Sequence, residues 1–233
     1  MPRNLILSGG VAHDFPATSA ALAGVLAEIG VESEITEDVA GALAEPPRAG
    51  LVTVNAFRWR MDGDDFADER DRWRFETPDS VRQALLAHLA GGGGLLAVHT
   101  ASLCFDDWPE WAGILGGAWR WGESYHPPIG PARVRLGAGH PVVDGLDGFE
   151  VTDFEVTDFE VTDFEVIDEV YSDLDVLPDV KPLAYSDDQP LLWARTVAGG
   201  RVVYDALGHD TRSYENPVRR TLLRRAARWL LGD

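Results

Sequence analysis

Short apolar runs alternate with longer Ala- and Leu-rich stretches closed by glycine through the first half of the chain. Asn4 to Ser8 (NLILS) reads as a buried strand ending in a Gly9-Gly10 turn. Ala17 to Ile29 predicts a helix stopped by Gly30, and Glu32–Thr36 and Leu51–Asn55 predict two more strands. The charged and aromatic stretch Ala56–Glu76 reads as a long loop over the sheet edge, and its length flags function. Thr77-Pro78 predicts an N-cap and first-turn proline for a helix that runs to Ala90. Leu95–Val98 predicts a strand buried on both faces leading into His99, and Trp108–Leu115 a short helix.

This alternation predicts an α/β fold, a flavodoxin-like, mostly parallel sheet with helices on both faces. The C-terminal half adds strands at Ala132–Leu136, Lys181–Tyr185, Leu191–Thr196 and Arg201–Ala206, the last two joined as a hairpin through Val197-Ala198-Gly199-Gly200. Asn216-Pro217 caps a final amphipathic helix ending at Leu231-Gly232. No linker divides the chain, so residues 1–233 are expected to form one domain.

Residues 149–168 break this pattern with four near-identical units, FEVTD-FEVTD-FEVTD-FEVID. Five is odd, so successive phenylalanines point to opposite faces of a strand and smear around a helix. A straight strand over the repeat would run about 66 Å, too long for this domain. A pentapeptide β-helix coil would have nothing to stack on. The sequence therefore reads as a tandem duplication of one strand unit, with Phe164–Asp168 in the native slot and register weakly specified.

Lys and Arg total 20 against 39 Asp and Glu, a formal net charge of −19. Removing three repeat units removes six acids and leaves −13. This balance argues against nucleic acid and anionic membranes as partners and suits a neutral sugar. The single cysteine, Cys104, excludes an intramolecular disulfide. With no signal-peptide pattern and no long apolar run, a cytoplasmic location is expected. A homo-oligomer is compatible with the sequence.

Three histidines follow predicted strand ends: His13, His99 and His209. Open α/β sheets bind ligands beyond the carboxyl ends of their strands, so these three mark a candidate site. Asp14 and Asp210 follow two of them and could orient the rings or raise their pKa. His126 sits in a rigid Ser124–Pro128 turn, whereas His88 reads as a helix-end cation and His140 as a turn residue; both are set aside. Trp119 and Trp121 are candidate sugar platforms, and Trp108 and Trp111 core residues.

LILSGG with HDF, then GGGGLLAVHTAS, FDDWPEW, LGGAW, SYHPPIG, GHPVVDGL, FEVIDEVYSDL and RVVYDALGHD, in that order, resemble the trehalose-utilisation (ThuA-like) family over nearly the whole chain. The resemblance implies the class I glutamine amidotransferase fold and a place in the breakdown of trehalose and related disaccharides. It also makes Glu169-Val170-Tyr171 a matching motif, with Glu169 as a general base or hydroxyl acceptor. Class I amidotransferases carry a nucleophilic cysteine in the turn that here reads Ala97-Val98-His99-Thr100-Ala101-Ser102, so a thiolate glutaminase is not expected.

The expected catalytic set is His13, His99, Glu169 and His209. Expected substrate contacts are Gly9, Gly10, Asp14, Trp119, His126, Tyr171 and Asp210. The reading is His/Glu acid–base chemistry on trehalose-like disaccharides or their keto derivatives. Two alternatives stay open: a divalent-metal hydrolase or isomerase, and a non-catalytic sugar-binding module. The cofactor is left unknown. The residue types would admit a divalent ion, but their spacing matches no compact metal motif, so no metal ligand is assigned.

Overall fold

The computed structural model describes residues 1–63, 66–146 and 163–233. One nine-stranded sheet organises them, in the order β2-β1-β3-β4-β11-β10-β9-β6-β7. The parallel part comprises β1 (Arg3–Gly9), β2 (Glu32–Thr36), β3 (Leu51–Ala56), β4 (Gly94–Val98) and β11 (Gly200–Asp205). β10 (Gln189–Val197), β9 (Pro182–Ser186), β6 (Gly130–Leu136) and β7 (Asp163–Asp168) extend it antiparallel. β5 (Gly117–Ala118) and β8 (Asp175–Val176) form a separate short ribbon.

Helices cover both faces. α1 (Phe15–Ala27), α6 (Thr211–Glu215) and α7 (Pro217–Leu231) pack together on one side; α4 (Asp79–Ala90) and α5 (Glu110–Leu115) lie against β4 and β11 on the other. Two single-turn helices, α2 (Val39–Ala42) and α3 (Arg70–Trp73), punctuate loops. The central strands β3 and β4 are buried at every residue, as apolar runs covered on both faces must be. The loop read over Ala56–Glu76 contains α3 and is pinned by Trp73, whose ring lies under the Arg58 and Arg72 guanidiniums at 4.5 and 4.3 Å.

Local signals act largely as their chemistry dictates. The Asn216 side chain accepts hydrogen bonds from the Val218 and Arg219 amides and starts α7. Ala198 and Gly199 both take positive φ, 53° and 96°, which closes the β10–β11 hairpin with a two-residue turn matching the strand twist.

Two local expectations are corrected. Thr77 does not cap α4: its hydroxyl and amide both donate to the Asp107 carboxylate, at 2.5 and 2.9 Å, and the helix begins at Asp79 without a side-chain cap. His88 is not an exposed cation. It is buried, its Nε2 donates to the Gly94 carbonyl at 2.9 Å, and burial lowers its pKa despite that bond. Val81, Ala84, Leu85 and His88 form one buried stripe at helical spacing, so the ring belongs to the core face.

The last repeat unit fills β7, pairing Phe164 with Val134 and Val166 with Ala132. The preceding units, residues 149–162, lie outside the described residues, and the expectation that they are surplus copies lies there with them. Deleting residues 149 to 163 leaves Phe164–Asp168 to occupy β7. The expected outcome is an unchanged size-exclusion profile and a melting temperature that does not fall, because doubling a loop's length costs only about 0.6 kcal/mol. A drop of many degrees would show that the units contribute to the core.

Candidate functional site

The carboxyl ends of β1, β4 and β11 bring their following residues to one point. β1 turns through Gly9 and Gly10, with φ of 91° and 145°. A Cβ on Gly10 would sit 2.6 Å from the Phe57 carbonyl oxygen, so a side chain there would push away the loop that carries His13. His99 follows β4 directly with φ 48°, a left-handed conformation unusual for a non-glycine residue. The turn where a thiol is missing from the sequence thus presents an imidazole. Such backbone strain persists where the surroundings over-determine it, and it clusters at functional sites. His209 follows β11 through Gly208.

The ring of His13 lies 5.1 Å from that of His99 and 4.5 Å from that of His209. Glu169, one residue beyond β7, reaches in among them. Its Oε2 stands 2.9 Å from His209 Nδ1 and 3.8 Å from His99 Nε2, and its Oε1 stands 3.4 Å from His126 Nδ1. One ligand atom from each of His13, His99, Glu169 and His209 falls within 4.8 Å of all the others.

Tautomers follow from the other ring nitrogens. His99 Nδ1 faces the Ala206 carbonyl at 2.7 Å and His13 Nδ1 faces the Val11 carbonyl at 3.3 Å, so each Nδ1 donates and each Nε2 keeps a lone pair. His13 Nε2, His99 Nε2 and His209 Nδ1 are buried without a hydrogen-bond partner among the described residues. His209 Nδ1 meets Glu169 Oε2 at 2.9 Å, a charge contact whenever the ring is protonated.

Electrostatics separate the four groups. Burial lowers His13 to about 4, reinforced by the charge of His209. Burial also drives His99 well below its ordinary value, with His13 adding to the effect. Contact with Glu169 raises His209 against the opposing effect of burial. Burial pushes the Glu169 carboxyl up, but His209, His126 and His13 outweigh it and hold the group below its ordinary value. Two imidazoles held toward the neutral form thus face a histidine–carboxylate pair whose contact favours the charged forms.

The expected substrate contacts divide. Tyr171 is buried and stacks on His99 at 4.1 Å, and Trp119 meets Tyr171 edge-on at 4.8 Å and His126 at 6.0 Å. Beside Trp119, Trp121 is 61% exposed. A cleft of about 300 Å³ lies between these tryptophans, Ser102 and the Arg60–Asp106 pair. A wider cleft, about 650 Å³, is walled by Gly9, Gly10, His13, Asp14, Phe66, Arg72 and Trp73. Sequence reasoning missed the last three as site residues; their only signal was loop length.

Asp14 and Asp210 do not orient the histidines beside them. Asp14 accepts from the Ala17 amide at 3.0 Å and caps α1. Asp210 accepts from the Arg212 amide and guanidinium and caps α6. Helix starts claim these aspartates, and the carboxylate that meets the rings comes from a distant strand. Cys104 is buried away from the cluster. Its thiol donates to the Ala56 carbonyl at 3.0 Å and burial pushes its pKa up to about 12, which leaves no thiolate to attack.

The fold is shared with solved proteins. A ThuA-like protein from Parabacteroides merdae ATCC 43184 superposes with a TM-score of 0.73 at 18% identity, over 100% of this chain and 91% of that one. A second, from Bacteroides uniformis ATCC 8492, gives 0.66 at 17% identity over 98% and 91%. A cytoplasmic protein from Salmonella typhimurium LT2 gives 0.64 at 13% over 99% of both chains. No curated protein sequence matches this chain. Among the described residues no helix is long and apolar enough to cross a membrane. The model of the ThuA family, described as trehalose utilisation, matches residues 3–230, and the chain belongs to that family.

Proposed function

We propose that this protein is a divalent-metal-dependent enzyme of sugar catabolism, acting on trehalose-like disaccharides or their keto derivatives, with His13, His99, Glu169 and His209 holding the ion. The carrying observation is the convergence, within 4.8 Å, of two unpartnered, buried imidazole nitrogens on His13 and His99 with the His209–Glu169 pair. Buried polar atoms ordinarily find partners, and a cation shared by all four would satisfy them together. Tetrahedral ligands about 2.1 Å from an ion lie about 3.4 Å from one another, so the side chains would close by about 1 Å on binding it. The depressed pKa values of His13 and His99 keep both in the neutral form that ligates. The Ala206 carbonyl fixes the His99 ring through its second nitrogen, as ligand histidines require.

Three nitrogens and one oxygen suit zinc, iron, manganese or cobalt better than calcium or magnesium. Such an ion supplies Lewis-acid polarisation of a carbonyl or hydroxyl oxygen. The chain supplies the rest. His126, 41% exposed and beside the outer oxygen of Glu169, is placed to exchange a proton with a bound sugar. The Trp119 and Trp121 rings offer aromatic faces for the apolar side of a pyranose.

The opposed shifts of His209 and Glu169 favour one second reading, metal-free acid–base catalysis by that pair. Elemental analysis of purified protein separates the two. About one equivalent of a transition ion is expected, with turnover of disaccharides or 3-keto-disaccharides lost on chelation. Full activity without ion would establish the metal-free reading.

His99→Ala and Glu169→Gln are each expected to weaken ion binding by more than about 100-fold, beyond what loss of an outer contact costs, while the protein stays folded. If both variants unfold, the side chains are structural.

The ion competes with the His209 proton. Calorimetric affinity should therefore fall as pH drops through the raised His209 pKa. In the ion-free protein the sign reverses: the raised His209 contributes stability in full below its unfolded value and loses it as pH rises through the folded value.

Glutamine should not be hydrolysed. Wild type and Cys104→Ala should release equal, background ammonia, and thiol-dependent release would contradict the placement of Cys104.

A further inference from the structure

We infer that Asp168 is a positioning residue for this centre: one buried carboxylate sets the backbone of both Glu169 and His209, and Ser213 sets the carboxylate. The inference rests on the metal reading above and adds to it a residue that touches neither ion nor sugar.

Asp168 is the last residue of β7 and is 2% exposed. Its Oδ1 accepts from the Glu169 amide at 2.9 Å and the His209 amide at 3.1 Å. Its Oδ2 accepts from the Gly208 amide at 2.8 Å and from the Ser213 hydroxyl. Two of the four cluster residues therefore take their backbone position from one side chain. Glu169 leaves an edge strand and His209 leaves a central one, with β10, β9 and β6 between them in the sheet, so Asp168 ties together residues that the strand order separates. The loop after β11 also needs the anchor. Gly208 has φ 125°, and a Cβ there would sit 2.8 Å from the Tyr214 hydroxyl and 2.9 Å from Val98 Cγ1. A backbone so confined has one way to present His209.

Charge adds a second reason for a carboxylate at this place. It accepts three amide N–H bonds and one hydroxyl bond, a set that an uncharged amide cannot accept in full. Bonds to an ionised acceptor are about twice as strong as neutral ones.

The sequence carried a signal for this residue. Along β7, Phe164, Val166 and Asp168 are buried in alternation, so period-two patterning places the aspartate on the core face with two apolar neighbours. An acid in that register has to be satisfied by the fold, and within the repeat it looks like any other acid.

Asp168→Asn keeps shape but offers one carbonyl oxygen for four donors. The amide meets at least one N–H head-on, and the variant should weaken ion binding by about 10- to 100-fold, the range for outer-shell partners of metal ligands. Ser213→Ala removes a single donor and is the variant that keeps the fold secure; a loss of several-fold, below about 10-fold, is expected. Calorimetric titration of the chelated full-length protein with Zn2+ and with Mn2+ reads both, alongside the melting temperature of the ion-free form. A merely structural aspartate would lower that melting temperature and leave the ion affinity of the folded protein unchanged. Wild-type affinity in both folded variants overturns the inference and leaves the metal reading standing. A wild type that binds neither ion overturns both. Should Asp168→Asn fail to fold, Ser213→Ala decides, with unchanged affinity counting against the inference.

Discussion

A carboxylate among imidazoles governs the carboxyl edge of this sheet. Three rings arriving from residues 13, 99 and 209 repel one another if more than one is charged, and burial penalises each charge further. Glu169 answers this by favouring charge on His209, the ring it contacts most closely, while burial holds the other two toward the neutral form. Tyr171, two residues on, packs against His99 and closes the inner side. The antiparallel extension of the sheet exists, from the site's point of view, to deliver the Asp168–Tyr171 segment across several strands to rings that the parallel half supplies.

The elbow after β4 places an imidazole where the strand ends. The positive φ at His99 throws the side chain out of the strand direction and over the sheet edge, the placement that a nucleophile requires. Here the projected group is a buried imidazole with its lone pair turned toward three others. The one thiol in the chain sits below, bonded to the β3 carbonyl at Ala56 and receiving the Arg58 amide. It holds the β3 loop to the β4 turn, a packing role for which a small polarisable side chain is well suited.

Much of this was legible in the sequence because it depends on local periodicity. The apolar runs of β1, β3 and β4, the Gly9-Gly10 turn after β1 and the histidines just past β1 and β4 mark the carboxyl edge of the sheet. What was not legible depends on competition between local and distant partners. Asp14 and Asp210 look like orienting acids by adjacency, yet helix N-termini with unpaired amides claim them first. Thr77 has the form of a cap, and Asp107 from a later loop takes its hydroxyl. His88 lies near a helix end, where a cation is favoured, but its spacing from Val81, Ala84 and Leu85 puts it on the buried stripe. The convergence of Glu169 with three strand-end histidines has no sequence spacing to announce it, since it is created by the strand order.

The repeat ends immediately before the one residue that its own period cannot replace. Every unit closes on aspartate, but only Asp168 is followed by glutamate; Asp153, Asp158 and Asp163 are followed by phenylalanine. A chain that zipped up one unit out of phase would still bury Phe and Val in β7 and still seat an aspartate against Gly208 and Ser213, yet would bring Phe164 to the rings. Only Ile167 among the strand residues would change, to the threonine of the preceding unit. Tandem copies thus give the chain a counterfeit of its own strand, nearly matched in packing and lacking the carboxylate.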